Sequence, residues 1–265
     1  MIEIEHLTIG YKDNRGGKSI VAADLNGTLR SANLTCLVGP NGCGKSTLLR
    51  TIAGLQSSVG GNVYYQPDGD GISSRISIDV SMAKGILSHI ISIVLTDRPG
   101  IRNMTVREIV SIGRQPYTGF WGILNSQDRE IVDESMRLVG IESLAGREVQ
   151  TLSDGERQKM MIAKALAQQT PVIILDEPTA FLDYPSKVET LRILARLCHE
   201  EGKTVVLSTH DMEIALQLAD SMWLIDGGTM ATGTPSELAS TGIISHFIDR
   251  EGIRFDSQTM TIRIG

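Results

Sequence analysis

The most informative part of the sequence is the run Gly39-Pro40-Asn41-Gly42-Cys43-Gly44-Lys45-Ser46-Thr47. It has the pattern G-x-x-x-x-G-K-[ST], and it lies where this motif needs to lie, after a stretch typical of a buried strand (Leu34–Val38) and before a helical pattern. Glycines let the backbone wrap closely around a phosphate, so that successive N–H groups and the helix N-terminus face the anion. Lys45 adds positive charge for the terminal phosphates, and the Ser46 hydroxyl is a Mg²⁺ ligand. The alternative is a glycine-rich turn with an incidental lysine, but the flanking strand and helix favour a nucleotide-binding site.

A pair of acidic residues follows a second apolar stretch. Val172-Ile-Ile-Leu-Asp176 predicts a buried strand that ends in a carboxylate, and Glu177 comes next. Adjacent strand residues point to opposite faces, but a turn at the strand end can deliver both acids to one site. The first can then reach a metal, and the second can polarise an attacking water. Asp-Glu-Pro is also a common sequence where a strand passes into a turn. The phosphate-binding run elsewhere in the chain favours the metal-binding and catalytic interpretation of the two acids.

Strands and helices alternate through the second half of the chain. A helical stripe from Val188 to Cys198 is followed by another buried strand, Thr204–Ser208. Buried strands that alternate with helices imply parallel βαβ units, so the predicted fold class is α/β. Met222–Asp226 and the residues after Gly227-Gly228 predict a hairpin with a two-glycine turn.

Periodicity also predicts the character of the remaining segments. After Lys45, a helix should place Leu48, Leu49, Ile52 and Leu55 on one face. Residues 105–144 have mostly helical periodicity, which predicts a helical insertion into the α/β core. Residues 252–265 alternate apolar and polar side chains, which predicts an added strand or hairpin.

The run Leu152-Ser153-Asp154-Gly155-Glu156 precedes another helical pattern. Ser153 and Glu156 have the spacing of a capping box, which by itself explains the sequence. The same geometry exposes N–H groups, the Ser153 hydroxyl and a positive helix end to an approaching anion. A single copy with a complete phosphate loop does not need a second such helix end. A dimer does, if the helix end of each copy closes the nucleotide site of the other.

Composition limits the possible partners. The chain has 265 residues with 25 Lys+Arg and 31 Asp+Glu, a net charge of −6, and 4% aromatic residues. An acidic balance and few aromatics argue against a nucleic-acid-binding protein. Three cysteines without zinc-site spacing indicate a reducing compartment. The first residues lack a secretory pattern, and no window approaches the ~20 apolar residues that span a bilayer. We expect a cytoplasmic location, or attachment to a membrane through a partner.

Together these motifs resemble those of the ATP-binding cassette proteins, the motor subunits of ABC transporters, over roughly residues 2 to 240. The run 39–47 is similar to the Walker A loop, 152–156 to the signature, 172–177 to Walker B, 180–183 to the D-loop and 207–210 to the switch-histidine segment. The resemblance implies a P-loop NTPase core with a parallel sheet, an N-terminal antiparallel β subdomain and an inserted helical subdomain. The implied parts are the core with its β subdomain (1–97 and 170–240), the helical subdomain (98–169) and a C-terminal extension (241–265).

The resemblance also implies roles for particular residues, with ATP and Mg²⁺ as the bound groups. Tyr11 would stack on adenine, although it is also an ordinary residue for a strand end. Asp176 would hold Mg²⁺ through water, and Glu177 would act as the general base. His210 would contact the γ-phosphate, and Asp183 would organise a homodimer interface.

Two departures from the family pattern affect this interpretation. The glutamine that usually ends the strand after the P-loop helix is missing, and Thr96, with Asp97 beside it, aligns best to its position. Either residue can offer oxygen to a metal, but both are shorter than glutamine. The signature reads Ser-Asp-Gly-Glu instead of Ser-Gly-Gly-Gln, so Asp154 and Glu156 add carboxylates near the partner's γ-phosphate. Solvated at a helix start, these carboxylates would be tolerable or even favourable, but they would weaken dimer closure if they faced ATP.

The segment 105–117, which ends in Gly113-Arg-Gln-Pro-Tyr117, resembles the helical subdomain of importers for iron–siderophore, haem and vitamin B12. The resemblance implies membrane permease subunits as partners and, indirectly, a substrate-binding protein, with the ATPase held at the inner face of the cell membrane. Phe120 and Trp121 would then be exposed for contact with the permease. The alternative is a loop punctuated by proline.

Two other functions are compatible with a cassette. One is a non-transport protein that acts on ribosomes or DNA, but such proteins usually carry two cassettes or long coiled coils. The other is a regulatory switch that closes on ATP and barely hydrolyses it, which the missing glutamine makes conceivable. ATPase assays with and without a permease distinguish these from an importer subunit.

Overall fold

The secondary structure comes from a computed structural model, which describes residues 1–12, 17–67, 75–78, 85–96, 100 and 102–264. The strands in these residues are β1 (Ile2–Lys12), β2 (Lys18–Leu29), β3 (Leu34–Val38), β4 (Gly60–Tyr65), β5 (Ile76–Ser77), β6 (Ile91–Val94), β7 (Val172–Leu175), β8 (Thr204–Thr209), β9 (Ser221–Asp226), β10 (Thr229–Gly233), β11 (Ile253–Asp256) and β12 (Thr261–Ile264). Its α-helices are α1 (Lys45–Ile52), α2 (Val106–Ser111), α3 (Ser126–Leu138), α4 (Asp154–Ala167), α5 (Tyr184–His199), α6 (Met212–Leu218), α7 (Pro235–Ser240) and α8 (Ile243–Ile248). Short 3-10 helices lie at Leu87–His89, Ile112–Tyr117, Glu142–Leu144 and Val149–Thr151.

The central sheet has the strand order β10-β9-β3-β8-β7-β6. Every neighbouring pair in it is parallel except the β9–β10 hairpin. The predicted α/β class is confirmed, as is the hairpin around Gly227-Gly228. Because parallel strands end at one edge, the loops after β3, β7 and β8 come together there, and this edge carries the candidate site.

A smaller antiparallel sheet, with the order β2-β1-β4-β5, packs against one face of the central sheet. The two faces of the central sheet belong to separate hydrophobic cores. On β3, for example, Cys36 and Val38 join the core beneath the helices that include α4 and α5, whereas Leu37 joins the core formed with α1 and β1. Strands buried on both faces account for the unbroken apolar runs in the sequence.

Helices α2, α3 and α4 pack on one another, which confirms the predicted helical middle region. One packing prediction is wrong. Leu48, Leu49 and Ile52 of α1 are fully buried, but Leu55 is 54% exposed. Gly54 adopts a φ of +66°, and the Leu55 N–H donates to the Arg50 carbonyl, so the helix ends in a Schellman-type turn that directs Leu55 away from its face.

The C-terminal residues form the predicted hairpin, β11–β12. The boundaries at 97/98, 169/170 and 240/241 stay a prediction. Among the described residues, no helix combines the length and apolar character needed to cross a bilayer.

Candidate nucleotide site

The predicted phosphate loop connects β3 to α1, in the strand–loop–helix arrangement that the motif requires. Gly44 caps α1 with a φ of +106°, a conformation that L side chains rarely adopt. A Cβ at this position would also lie 2.6 Å from the Val21 side chain. Pro40, Asn41 and Gly42 are exposed, so the loop presents its backbone to solvent at the N-terminus of α1.

Lys45 is folded into this loop and is only 5% exposed. Its ammonium donates to the carbonyls of Gly39 at 2.8 Å and Pro40 at 3.1 Å, and it lies 3.8 Å from Glu177 Oε1. The loop therefore contains a positive charge held by neutral acceptors, close to the second acid of the predicted pair.

Asp176 lies just beyond the end of β7, which stops at Leu175, one residue earlier than the sequence predicts. Its side chain is buried, and Oδ1 accepts hydrogen bonds from the hydroxyls of Ser46 at 3.0 Å and Ser208 at 2.7 Å. The structure thus joins two predicted metal ligands that are far apart in sequence.

These donors fit Mg²⁺, which prefers oxygen ligands and usually keeps water and substrate phosphate oxygens in its coordination shell. In the described part of the chain, no group of three or more His, Cys, Asp or Glu side chains is arranged to hold a metal. A carboxylate and a hydroxyl are, however, the protein ligands that a nucleotide-bound magnesium ion needs. Thr96 is adjacent, because its hydroxyl donates to the Asp176 carbonyl at 2.8 Å. Asp97 lies outside the described residues.

Glu177 and His210 lie next to each other at the same edge of the sheet. Glu177 Oε1 is 4.0 Å from His210 Nδ1, and the side chains are 24% and 54% exposed. Glu177 adopts a φ of +46°, an unfavourable conformation for a residue with a Cβ. The turn after β7 therefore brings both acids to one site, as predicted, through a strained backbone.

Tyr11, Cys43 and Thr47 border the loop. Tyr11 is 55% exposed, and its hydroxyl lies 3.1 Å from Thr47 Oγ1, so its ring is available at the surface beside the loop. Burial raises the pKa of the half-buried Cys43 thiol, which keeps that residue protonated near neutral pH.

Ser153 caps α4 and forms the predicted capping box with Glu156. Glu156 Oε2 accepts from the Ser153 N–H at 2.8 Å and from its hydroxyl at 2.9 Å. These two hydrogen bonds, together with Arg147, hold the pKa of Glu156 below its usual value. Arg147 Nη1 is 3.1 Å from the other carboxylate oxygen, Oε1. The Glu156 carboxylate is therefore bound by Ser153 at the start of its own helix and paired with Arg147. This pairing reduces the repulsion of a partner's phosphate that the signature departure predicts.

Gly155 and Asp183 bring the start of α4 close to the start of α5. A Cβ on Gly155 would lie 3.3 Å from the Ser186 hydroxyl, and Asp183 caps α5 by accepting from the Ser186 N–H at 3.0 Å. Hydrogen bonds from the side chain and backbone of Ser186 keep the pKa of Asp183 below its usual value. Asp183 is thus a charged helix cap at the surface. Asp154 is exposed in the first turn of α4.

The segment 105–117, which resembles the metal-chelate importers, forms α2 and then a 3-10 helix over Ile112–Tyr117 instead of an open loop. Arg114 is 4% exposed, and it donates to Asp128 Oδ1 at 2.9 Å and to the Ala167 carbonyl at 2.8 Å. Its guanidinium lies 4.0 Å above the ring of Tyr117, whose hydroxyl donates to the Gln168 carbonyl. Arg114 therefore fastens this segment to the C-terminal end of α4.

Phe120 and Trp121 extend beyond this anchored segment. They are 95% and 83% exposed, as predicted, and their rings meet edge to face with centroids 5.4 Å apart. Two adjacent exposed aromatic rings next to a segment that is anchored to α4 are suited to contact with another molecule.

Sequence reasoning gave no role to two residues at these sites. Ser208 bridges the two acids, and Arg147 neutralises Glu156. The one available signal for Ser208 was a polar residue at the end of an apolar strand. Arg147 is nine positions before its partner, and no local pattern indicates the pair.

This fold and site define a P-loop nucleotide-hydrolysing protein. The family model described as ABC transporter matches residues 22–180. An uncharacterised ABC transporter ATP-binding protein of Methanocaldococcus jannaschii, MJ0873, is 38% identical over 96% of this chain and 83% of its own length. The iron(3+)-hydroxamate import ATP-binding protein FhuC of Bacillus subtilis is 35% identical over 92% of this chain and 86% of its own length.

Among solved structures, the dimeric structure of MJ0796, a bacterial ABC transporter cassette, superposes with a TM-score of 0.74 at 26% identity. The alignment covers 89% of this chain and 99% of that one. The chain belongs to the ABC transporter family. It is an ATP-binding cassette that hydrolyses ATP.

Proposed function

We propose that this cassette powers a membrane importer, and that two copies close around two ATP molecules to do so. The chelate it helps to import would be of the iron–siderophore, haem or cobalamin type. The single observation that supports the proposed closure of two copies is that Lys45, Asp176 and Glu177 converge at a site that opens to solvent. An exposed, capped helix end at Ser153 is available to complete that site in a second copy.

Within each site, the residues have distinct roles. Tyr11 stacks on adenine, and residues 39–47 surround the phosphates, with Lys45 on the terminal ones. Ser46 and Asp176, with Thr96 nearby, would hold Mg²⁺, which when bound neutralises phosphate charge. Glu177 accepts a proton from the attacking water, and His210 contacts the γ-phosphate.

The partner copy completes each site. Residues 153–156 of one copy face the γ-phosphate bound by the other, and Asp183 lies at the interface between copies. ATP drives the closure because it contacts both copies only when they are closed, so it binds the closed state more tightly. The dimeric structure of MJ0796, a 26% identical cassette, supports the association of two copies.

The importer assignment is supported by the relative named for iron(3+)-hydroxamate import and by the Arg114 segment with its exposed aromatic pair. We expect that pair to contact permease subunits, which would hold the cassette at the inner face of the cell membrane. A substrate-binding protein would deliver the chelate to the permease.

The closure is tested by measuring molecular mass with hydrolysis blocked. Glu177→Gln removes the proposed base, so the variant should retain ATP. Light scattering should show twice the monomer mass in ATP–Mg²⁺ and the monomer mass in ADP. A monomer in ATP, alone and with its permease, would contradict the proposal.

The importer role is tested by steady-state ATPase assays of the parent with and without a reconstituted permease. Stimulation by a siderophore, haem or cobalamin permease supports it. A rate that no permease raises favours a regulatory switch.

A further inference from the structure

Ser208 lies one residue before the end of β8 and is fully buried. Its hydroxyl donates to Asp176 Oδ1 at 2.7 Å and accepts from the Glu177 N–H at 2.8 Å. A serine hydroxyl has one proton and two lone pairs, so these two contacts use its donor and one acceptor position. One side chain from β8 therefore contacts both acids that follow β7.

The contact to Glu177 fixes backbone that is otherwise unfavourable. Glu177 has a φ of +46°, and such a conformation persists only where its surroundings hold it. The Asp176 N–H donates to the Val94 carbonyl, and Thr96 donates to the Asp176 carbonyl, so the turn is also held from β6. Ser208 holds it from the opposite side, at the N–H of Glu177.

The contact to Asp176 orients a carboxylate. Oδ1 accepts hydrogen bonds from the hydroxyls of both Ser46 and Ser208. These two bonds fix the rotation of the buried carboxylate. Hydrogen bonds to an ionised acceptor are stronger than those between neutral groups.

We infer that Ser208 is a positioning residue for ATP hydrolysis: through one hydroxyl, it sets the carboxylate of Asp176 and the backbone of Glu177 in their working geometry. The inference rests on the roles proposed for these two acids. It assigns Ser208 no contact with nucleotide, so loss of the hydroxyl should slow turnover more than it weakens binding.

Ser92 offers a matched control. It lies on β6 of the same sheet and is 1% exposed, but its hydroxyl has no hydrogen-bond partner among the residues that the structure describes. Ser92→Ala and Ser208→Ala remove the same atom from equally buried strand positions. They differ in whether that atom contacts the acid pair.

The experiment compares these variants with the parent in steady-state ATPase assays and in ADP binding. Ser208→Ala should lower kcat roughly 10-fold or more, the size of effect expected from a lost hydrogen bond to a charged group. It should also raise the Mg²⁺ concentration needed for half-maximal rate, while ADP affinity changes less than about threefold. Ser92→Ala should match the parent, and Ser208→Thr, which keeps the hydroxyl, should recover most of the rate. If Ser208→Ala matches Ser92→Ala in kcat and Mg²⁺ dependence, the inference is wrong.

The single variant Glu177→Gln separates failure of this inference from failure of the proposed function. If Glu177→Gln hydrolyses ATP at the parent rate, the assignment of the base is wrong. If Glu177→Gln is nearly inactive and Ser208→Ala is unchanged, only the role of Ser208 is wrong. If the assignments of Glu177 and Ser208 are both correct, the double variant gives a further test. Adding Ser208→Ala to Glu177→Gln should lower the residual rate much less than it lowers the parent rate, because the hydroxyl acts partly through Glu177.

Discussion

The phosphate loop with its acid pair and the tip of α4 are both parts of the proposed ATP site, but they are built in different ways. At the first, Lys45 and Asp176 are 5% and 3% exposed, and the hydrogen bond between Ser46 and Asp176 joins residues 130 positions apart. At the second, Ser153 is exposed and its hydrogen bonds to Glu156 span three positions. The first region is organised by the tertiary fold, and the second by one turn of helix.

This difference suggests which properties belong to a single copy and which to a pair. A buried network is in place before ligand arrives, so its variants should act on each copy alone. An exposed helix cap has little effect until something docks on it, so variants there should act on the assembled pair.

Glu177→Gln should slow ATP hydrolysis by about 10²–10⁴-fold, the usual contribution of general acid–base catalysis. ATP affinity should stay within a few-fold of the parent, because Lys45 and the loop backbone are unchanged. Single-turnover hydrolysis and equilibrium ATP binding measure the two quantities. Equal losses in both would mean that Glu177 holds the loop together instead of serving as the base.

Ser153→Ala should lower the ATPase rate roughly 10-fold and weaken ATP-driven dimerisation, since it removes the hydroxyl that we propose contacts the partner's γ-phosphate. ATP binding to the separate copy should not change. The loss of the cap alone costs about 1 kcal/mol of stability.

Thr234→Ala provides the control for that cost. Thr234 and Glu237 form the same capping box at the start of α7, outside the proposed site. Thr234→Ala should destabilise the protein by a similar amount and leave the ATPase rate intact. If both variants lose the same activity, Ser153 acts through stability alone.

Arg147→Ala should weaken ATP-driven dimerisation several-fold, because the Glu156 charge then loses its ion pair while it faces the partner's phosphate in the proposed dimer. Adding Glu156→Gln should restore dimerisation, since the side chain then carries no charge. Sedimentation in ATP at low and high salt measures the effect, which should shrink as salt rises. Arg263→Ala, which breaks an exposed ion pair with Asp256 on the C-terminal hairpin, should have no such effect.

The smallest expected effect concerns the stability of the helix tip as a function of pH. The pKa of Glu156 is lowered in the folded state, so its charge stabilises the protein above the usual glutamate pKa of about 4.3 and ceases to do so as pH falls through the folded value. At pH 7, Glu156→Gln should therefore cost about 0.5 kcal/mol, and the cost should be smaller at about pH 4. Urea unfolding at both pH values measures this. A difference that grows toward low pH would contradict the assignment.

Local patterns were sufficient wherever adjacent residues determine the structure. The strand–loop–helix around Lys45, the capping box at Ser153 and the hairpin at Gly227-Gly228 were predictable, because each depends on residues a few positions apart. The exposure of Phe120 and Trp121 was predicted instead from the resemblance to importers. Leu55 was predicted wrongly because helical periodicity continues past Gly54, where the backbone turns out of the helix.

Contacts between residues that are distant in the sequence could not be predicted from local patterns. The order and spacing of the motifs were enough to identify the class of the protein, because they fix the elements and the chemical groups at their ends. Three-dimensional packing was needed to show that Ser46 and Ser208 meet on Asp176, that Arg147 pairs with Glu156, and that Arg114 is buried against Asp128. The physical reason is that buried polar groups must find partners wherever packing brings them, and packing joins positions that no local pattern relates.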